Sequence, residues 1–274
     1  MAVWYLVANA AMLVLSGALG WRFRRAGWMR IGPWIGLGAV GLAVRVFLHG
    51  HPEVEQHLLA LSDDYLYFAT WEGPLAVFVA VALAARLRTQ AVRRPAFAAL
   101  VLLTPWLLWH NVALCLQPRY AMPGRLEGGA IYRQGTDYSC GPAAGLTLLR
   151  AAGVAASEGE VANLCLLRPG EGVSELELCR GLNMALRRRH RRATIRRAAP
   201  DELDGLPTPF LARTQRLGGA PHCVAVLAVR DDEVVVADPA QGRFVCARDD
   251  LLSEWTGLAI TLEPAPPQVP RGRP

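Results

Sequence analysis

Gln134-Gly-Thr-Asp-Tyr-Ser-Cys140-Gly-Pro-Ala-Ala-Gly145 is the stretch around which this 274-residue chain reads. A short polar loop runs directly into an apolar, helix-forming run, Ala143 to Ala152. Pro142 stands in the first turn, where its missing N–H would have had no helical partner. Cys140 is therefore expected at a helix N-terminus. The free backbone N–H groups and the dipole there favour the thiolate, which is the attacking form. Gln134, upstream of the thiol, is placed to return its amide to a developing oxyanion. The competing reading is a buried structural cysteine at a helix start. The choice depends on partners elsewhere in the chain.

A thiol nucleophile needs a base, and the base needs an orienting group. His222 opens the apolar run His222-Cys-Val-Ala-Val-Leu-Ala-Val-Arg230, which puts an imidazole at a strand end. Asp238 ends the next run, Glu233 to Asp238, and Asp231-Asp232 is the turn between the two. The start of one strand then lies beside the end of the other. Asp238 comes within reach of His222, close to opposite it, and is free to fix its tautomer. His190, the other histidine of this half, sits inside a run of arginines, a poor setting for an imidazolium. Taken singly, His222 and Asp238 also read as a structural histidine and a turn-capping Asp before Pro239. The set of four, Gln134, Cys140, His222 and Asp238, carries the catalytic reading.

The elements around these residues follow an α+β order. Helices are expected from Cys140 to Ala152, from a capping box at Ser157-Glu-Gly-Glu160 to about Leu167, and from a second box at Ser174-Glu-Leu-Glu177 to about Arg188. The pattern then switches to strands: Ala193–Arg197, Pro209–Thr214, His222–Arg230, Glu233–Asp238, Arg243–Ala247 and Leu258–Leu262. The turn-rich segment 118–127 reads as a linker, residues 128–262 as one domain, and the Pro-rich tail 263–274 as disordered. Arginines from Arg187 to Arg197 form a basic cluster, read as a solvated helix end, with anionic headgroups or an acidic substrate segment as alternatives.

The first half is different in kind. The whole chain is 53% hydrophobic, and its mean hydropathy of +0.23 is high for a soluble protein. Residues 1–117 hold four apolar segments, at 2–20, 31–48, 66–85 and 96–117, each near the ~20 residues that cross a bilayer as a helix. An all-α four-helix transmembrane domain is expected, embedded in the lipid bilayer. Arg22, Arg24, Arg25 and Arg30 fill the first loop, and Arg86, Arg88, Arg93 and Arg94 the third. The second loop, His49 to Asp64, has no arginine and four carboxylates. Positive charge marks the cytoplasmic side. Both termini, and with them Cys140, are then expected outside the cytoplasm of a bacterial inner or plasma membrane. Arg45 and Glu72 are candidates to pair across helices, with His110 nearby. The second loop, with His49, His51 and His57, reads as solvated.

The net charge of +6 comes entirely from arginine, since the chain has no lysine. A basic balance often marks nucleic-acid binding, but the apolar segments account for this chain better, and no nucleic acid is expected as partner. Six cysteines are too few and too scattered for a disulfide scaffold. Cys165, Cys179, Cys223 and Cys246 remain available for a disulfide in an oxidising compartment, with the pairing open.

Gln134-x5-Cys140-Gly-Pro-Ala-Ala, the His222-led strand, and Asp238-Pro239 with Gly242 beyond together resemble the bacteriocin-processing, double-glycine cysteine peptidases. The resemblance covers about half of the chain. It implies a papain-like peptidase domain, with Cys140 as nucleophile, His222 as general base, Asp238 as orienter and Gln134 as oxyanion donor. It further implies a peptide or protein substrate cleaved after Gly-Gly in a leader, with no metal and no organic cofactor. The chain departs from the family's best-known members in several ways. It contains no Gly-x4-Gly-Lys phosphate loop, its apolar half comes first, and Ser139 stands where an acidic residue often precedes the cysteine. A separate transporter is therefore a conceivable partner. An acyl or peptidyl transferase working through the same thioester, and a non-catalytic peptide-binding scaffold, are the rival functions.

Overall fold

The computed structural model describes residues 10–11, 14–18, 22, 28–58, 72–84, 87, 89–92, 120–122, 124–128, 131–187, 189–215 and 221–265. They fall into two compact units, Met1–Gln117 and Pro118–Pro274.

In the first unit, α1 (Trp28–His49) is followed by the short α2 (Pro52–Leu58) and by α3 (Glu72–Ala84). Within α1, residues Gly32–His49 have a mean hydropathy of 1.3, and only 17% of that window is buried in the protein. Among the described residues it is the one helix long and apolar enough to cross a membrane. Leu37, Val46 and Phe47 are exposed, α1 packs on α3, and Leu48, Val77 and Val81 are buried. The segment 96–117, with His110, lies outside the described residues, as does most of 2–20.

The second loop is not simply solvated. Its acidic stretch folds into α2, with Glu55 and Gln56 buried. Arg45 reaches Glu55 at 3.2 Å, so this guanidinium finds a carboxylate from the loop side. The reason is physical: a buried cation needs a partner of opposite charge, and Glu55 can bring one from only one short connection away. The side chain of Glu72, the partner expected from sequence, lies outside the described residues.

The second unit is α+β. A two-stranded hairpin, β1 (Arg125–Glu127) and β2 (Ile131–Arg133), precedes three helices: α4 (Cys140–Ala151), α5 (Glu158–Leu164) and α6 (Glu175–Ala185). An antiparallel sheet follows, in the order β3-β8-β4-β5-β6-β7. Its strands are β3 (Arg191–Arg197), β4 (Phe210–Gln215), β5 (Pro221–Arg230), β6 (Glu233–Asp238), β7 (Gly242–Ala247) and β8 (Trp255–Pro264). The 3-10 turn Pro200–Gly205 and the helix α7 (Arg248–Glu254) cover one face. Their Leu203 and Leu251 pack with Phe210, Val224, Val226, Val234 and Val236. α4 lies against β5, and α6 against β3.

α4 is apolar but for Thr147 and the exposed Arg150 in its last turn, and every residue from Gly141 to Leu149 is buried, as befits a core helix. α5 and α6 open on complete capping boxes at Ser157/Glu160 and Ser174/Glu177. Both helices end earlier than the sequence pattern suggests, and β3 takes over Arg191 and Arg192, so half of the basic cluster is an edge strand rather than a helix end. The five described cysteines, Cys140, Cys165, Cys179, Cys223 and Cys246, are all free thiols.

Candidate active site

Cys140 is the first residue of α4, at the position the Pro142 pattern assigns it. The helix needs glycine next to the thiol. A Cβ on Gly141 would sit 2.6 Å from Val173 Cγ2, so only glycine lets the loop before α6 close over this end.

The hairpin of β5 and β6 delivers the other two groups, and one irregularity decides whether they meet. Arg230 pairs with Glu233, Val229 with Val234 and Ala228 with Val235. The next pairs are Val226 with Val236 and Ala225 with Ala237, so Leu227 is an extra residue, a bulge. Without it Asp238 would fall opposite Ala225, on the face of Cys223. With it Asp238 falls level with Val224, on the face of His222. The two are thus diagonal neighbours rather than opposite ones. His222 Nε2 lies 3.0 Å from Asp238 Oδ1, and both side chains are buried.

Asp238 is itself fixed. The same Oδ1 accepts the N–H of Ala240 at 2.6 Å and of Gln241 at 3.2 Å, so the turn Pro239–Gln241 folds back on the carboxylate. With Nε2 committed to Asp238, Nδ1 is the ring nitrogen left for the thiol. His222 is hydrogen-bonded to Cys140.

The electrostatics follow from these contacts. Burial, the largest effect on Cys140, favours the neutral thiol. The hydrogen bond and charge of His222, with the N–H groups of Cys223 and Gly141, outweigh it and pull the thiol below its ordinary value. For His222 burial likewise disfavours the charge. Bonds to Asp238 and Cys140, and their charges, push its pKa up to about 9. The contacts of the pair thus favour a thiolate beside an imidazolium, the charge state a cysteine nucleophile requires. Cys223 has the opposite fate: burial, followed by the nearby Cys140, raises its thiol well above the usual range.

Gln134 follows β2, and its N–H donates to Pro239 O at 3.0 Å. The loop carrying the glutamine is thus tied to the turn that follows Asp238. Its side-chain Oε1 is buried without a hydrogen-bond partner among the described residues. The 134–140 loop and the 238–241 turn, far apart in sequence, form one assembly.

Sequence reasoning missed the bulge at Leu227, the ion pair of Arg213 on β4 with Glu175 on α6, and Glu158. Glu158 carried only a helix-capping signal, because its partners lie in the loop before α4.

Several known proteins are similar to this chain. The Peptidase C39 family profile matches residues 130–267. An uncharacterized protein of Methanothermobacter marburgensis is 35% identical over 144 residues, 53% of this chain and 95% of that protein. The mesentericin-Y105 transport/processing ATP-binding protein MesD of Leuconostoc mesenteroides is 33% identical over 67 residues, 24% of this chain and 9% of its own length. Among solved structures, the peptidase domain of Streptococcus ComA, a bifunctional ABC transporter, superposes with a TM-score of 0.42 at 22% identity, covering 48% of this chain and 96% of that domain. A double glycine motif protease from an AMS/PCAT transporter, in complex with a leader peptide, gives 0.43 at 18% identity over 55% of this chain and 99% of the other. The profile spans half of the chain and contains Gln134, Cys140, His222 and Asp238; the chain belongs to the Peptidase C39 family, and it is a cysteine peptidase.

Proposed function

We propose that this protein is a membrane-anchored endopeptidase that cleaves exported peptides or proteins with Cys140 as nucleophile. The observation that carries the reading is His222 held between Asp238 and the Cys140 thiol at the open start of α4. The thiolate attacks the scissile carbonyl. Its oxygen takes the negative charge, facing the N-terminal N–H groups of α4 and the Gln134 amide. The His222 imidazolium gives its proton to the leaving amine, and a thioester remains on Cys140. Neutral His222 then takes a proton from water, whose hydroxyl displaces the thioester and frees the thiol. Asp238 keeps the ring in the tautomer and orientation this relay needs.

For the substrate we propose a leader peptide cut after Gly-Gly. Family membership and the likeness to a transport/processing protein support this reading. The apolar segments of residues 1–117, α1 among them, support a four-span anchor ahead of the peptidase domain. The arginines of the first and third loops support a peptidase on the extracytoplasmic side.

Two measurements test these readings. A Gly-Gly peptide bearing a thiol-reactive electrophile is expected to label the wild type, and Cys140→Ala not at all. Equal labelling of both would overturn the nucleophile. An alkaline phosphatase reporter fused after Pro274 is expected to be active; a reporter active only in the cytoplasm would reverse the topology.

A further inference from the structure

We infer that Glu158 is a positioning residue for the oxyanion side of this active site, an inference that rests on the proposed roles of Cys140 and Gln134. Glu158 is fully buried at the first position of α5, and its side chain turns away from its own helix. Its Oε1 accepts the N–H of Gly135 at 2.9 Å and the hydroxyl of Ser139 at 2.6 Å. One buried oxygen thus pins both ends of the turn between Gln134 and Cys140. The separation of the oxyanion donor from the nucleophile is set by that turn.

The bond has a second consequence. Ser139 stands at the N-cap position of α4, yet its side chain makes no cap bond. Its hydroxyl is held instead by Glu158 at 2.6 Å and by the backbone N–H and carbonyl of Thr136, each at 3.1 Å. Glu158 therefore holds the turn through a serine that caps nothing. The arrangement costs stability, because Oε2 is buried with no hydrogen-bond partner among the described residues.

Glu158 is backed from behind. A Cβ on Gly159 would lie 2.6 Å from Tyr120 O, and the Gly159 N–H donates to Met122 O at 2.7 Å. Tyr120 exchanges two bonds with Asn163, at 2.9 and 3.1 Å, and its hydroxyl donates to Leu167 O at 3.2 Å. Residues 120–122 thus form a strap that seats α5. Met122 Sδ would be only 3.3 Å from a Cβ on Gly135, so the strap touches the catalytic turn as well.

The test separates oxyanion binding from thiol reactivity in the full-length chain. A peptide aldehyde ending in Gly-glycinal adds Cys140 Sγ to its carbonyl carbon, and the resulting oxygen, protonated by the imidazolium, occupies the oxyanion position. Iodoacetamide needs only the thiolate. Glu158→Met, which removes the acceptor, and Gly135→Ala, which pushes the turn off Glu158, are each expected to weaken aldehyde binding about 10- to 100-fold. The iodoacetamide rate and its pH profile should stay at the wild-type values. Glu158→Gln keeps an acceptor oxygen and is expected to bind the aldehyde within about 3-fold of wild type, since the acceptor is what positions the turn. If Glu158→Met does not fold, Gly135→Ala decides alone. Unchanged aldehyde binding in the folded variants, an equal loss of alkylation, or Glu158→Gln as impaired as Glu158→Met would each overturn the inference. Aldehyde binding lost in Cys140→Ala and kept in the Glu158 variants would sink this inference and leave the proposed function standing. Aldehyde binding retained by Cys140→Ala would overturn that function and this inference with it.

Discussion

Three consecutive helices begin on a serine, and they use it in two ways. At α5 and α6 the serine hydroxyl accepts the N–H three residues on, and a glutamate returns to the serine N–H. Both helix starts are closed. At α4 the serine hydroxyl goes to Glu158, and the helix start is left open with a thiol on its first residue. A closed start stabilises its helix by about 1 kcal/mol. An open start forgoes that and leaves the first-turn N–H groups for other charges: the thiolate and, in the proposed mechanism, the oxyanion. The difference separates helices that hold the domain together from the helix that, in the proposed mechanism, carries the chemistry.

The largest effect that sharpens this contrast comes from Asp238→Asn. The thiolate is favoured by the open helix start and also by the imidazolium, and only the imidazolium depends on Asp238. His222 is raised to about 9 by Asp238 and Cys140 against the effect of burial. A raised histidine stays charged below that value and loses its proton above it, so the alkaline limb of activity in the wild type is expected near pH 9. Removing the Asp238 charge takes away its share of the upward shift. The alkaline limb should then move toward the ordinary histidine range, with turnover falling by about 10²- to 10⁴-fold through the loss of orientation. A pH–rate profile of the variant checks this. An alkaline limb that stayed at the wild-type pH would mean that Asp238 does not set the charge of His222, and the two supports of the thiolate would have to be reassigned.

Much of this was legible in the chain itself. The capping boxes, the helix starting at Cys140 and every strand of the six-stranded sheet follow from local rules: cap residues, period-two apolar runs and turn pairs. That His222 and Asp238 come together is legible for the same reason, since a two-residue turn fixes which strand ends meet. What local rules miss is non-local or irregular. The bulge at Leu227 has no sequence signal in an unbroken apolar run, yet it decides which face Asp238 takes. Glu158 looks like any acidic residue in the first turn of a helix, and only the fold brings the 135–139 turn beneath it. The hairpin of β1 and β2 was hidden in a turn-rich stretch, because three-residue strands are too short to show alternation. Arg45 met Glu55 because a loop that reads as polar buries part of itself as a short helix.

The smallest effect breaks the contrast most cleanly if it fails. Ser174→Ala removes the cap of α6, where the hydroxyl accepts from Glu177 N–H and also contacts the Glu177 carboxylate at 2.8 Å. The loss is expected to be about 1 kcal/mol of stability, a fall of about 2–4 °C in melting temperature for a domain of this size. Alkylation of Cys140 by iodoacetamide should be unaffected. Ser139→Ala should show a different signature, because that hydroxyl caps nothing. It loses the bond to Glu158 and the contact with Thr136 N–H at 3.1 Å, so the catalytic turn loosens while the helix start stays open. Aldehyde binding should weaken more than the melting temperature falls. A Ser139→Ala variant that lost stability as Ser174→Ala does, with aldehyde binding intact, would make Ser139 an ordinary cap and erase the distinction between the two kinds of helix start.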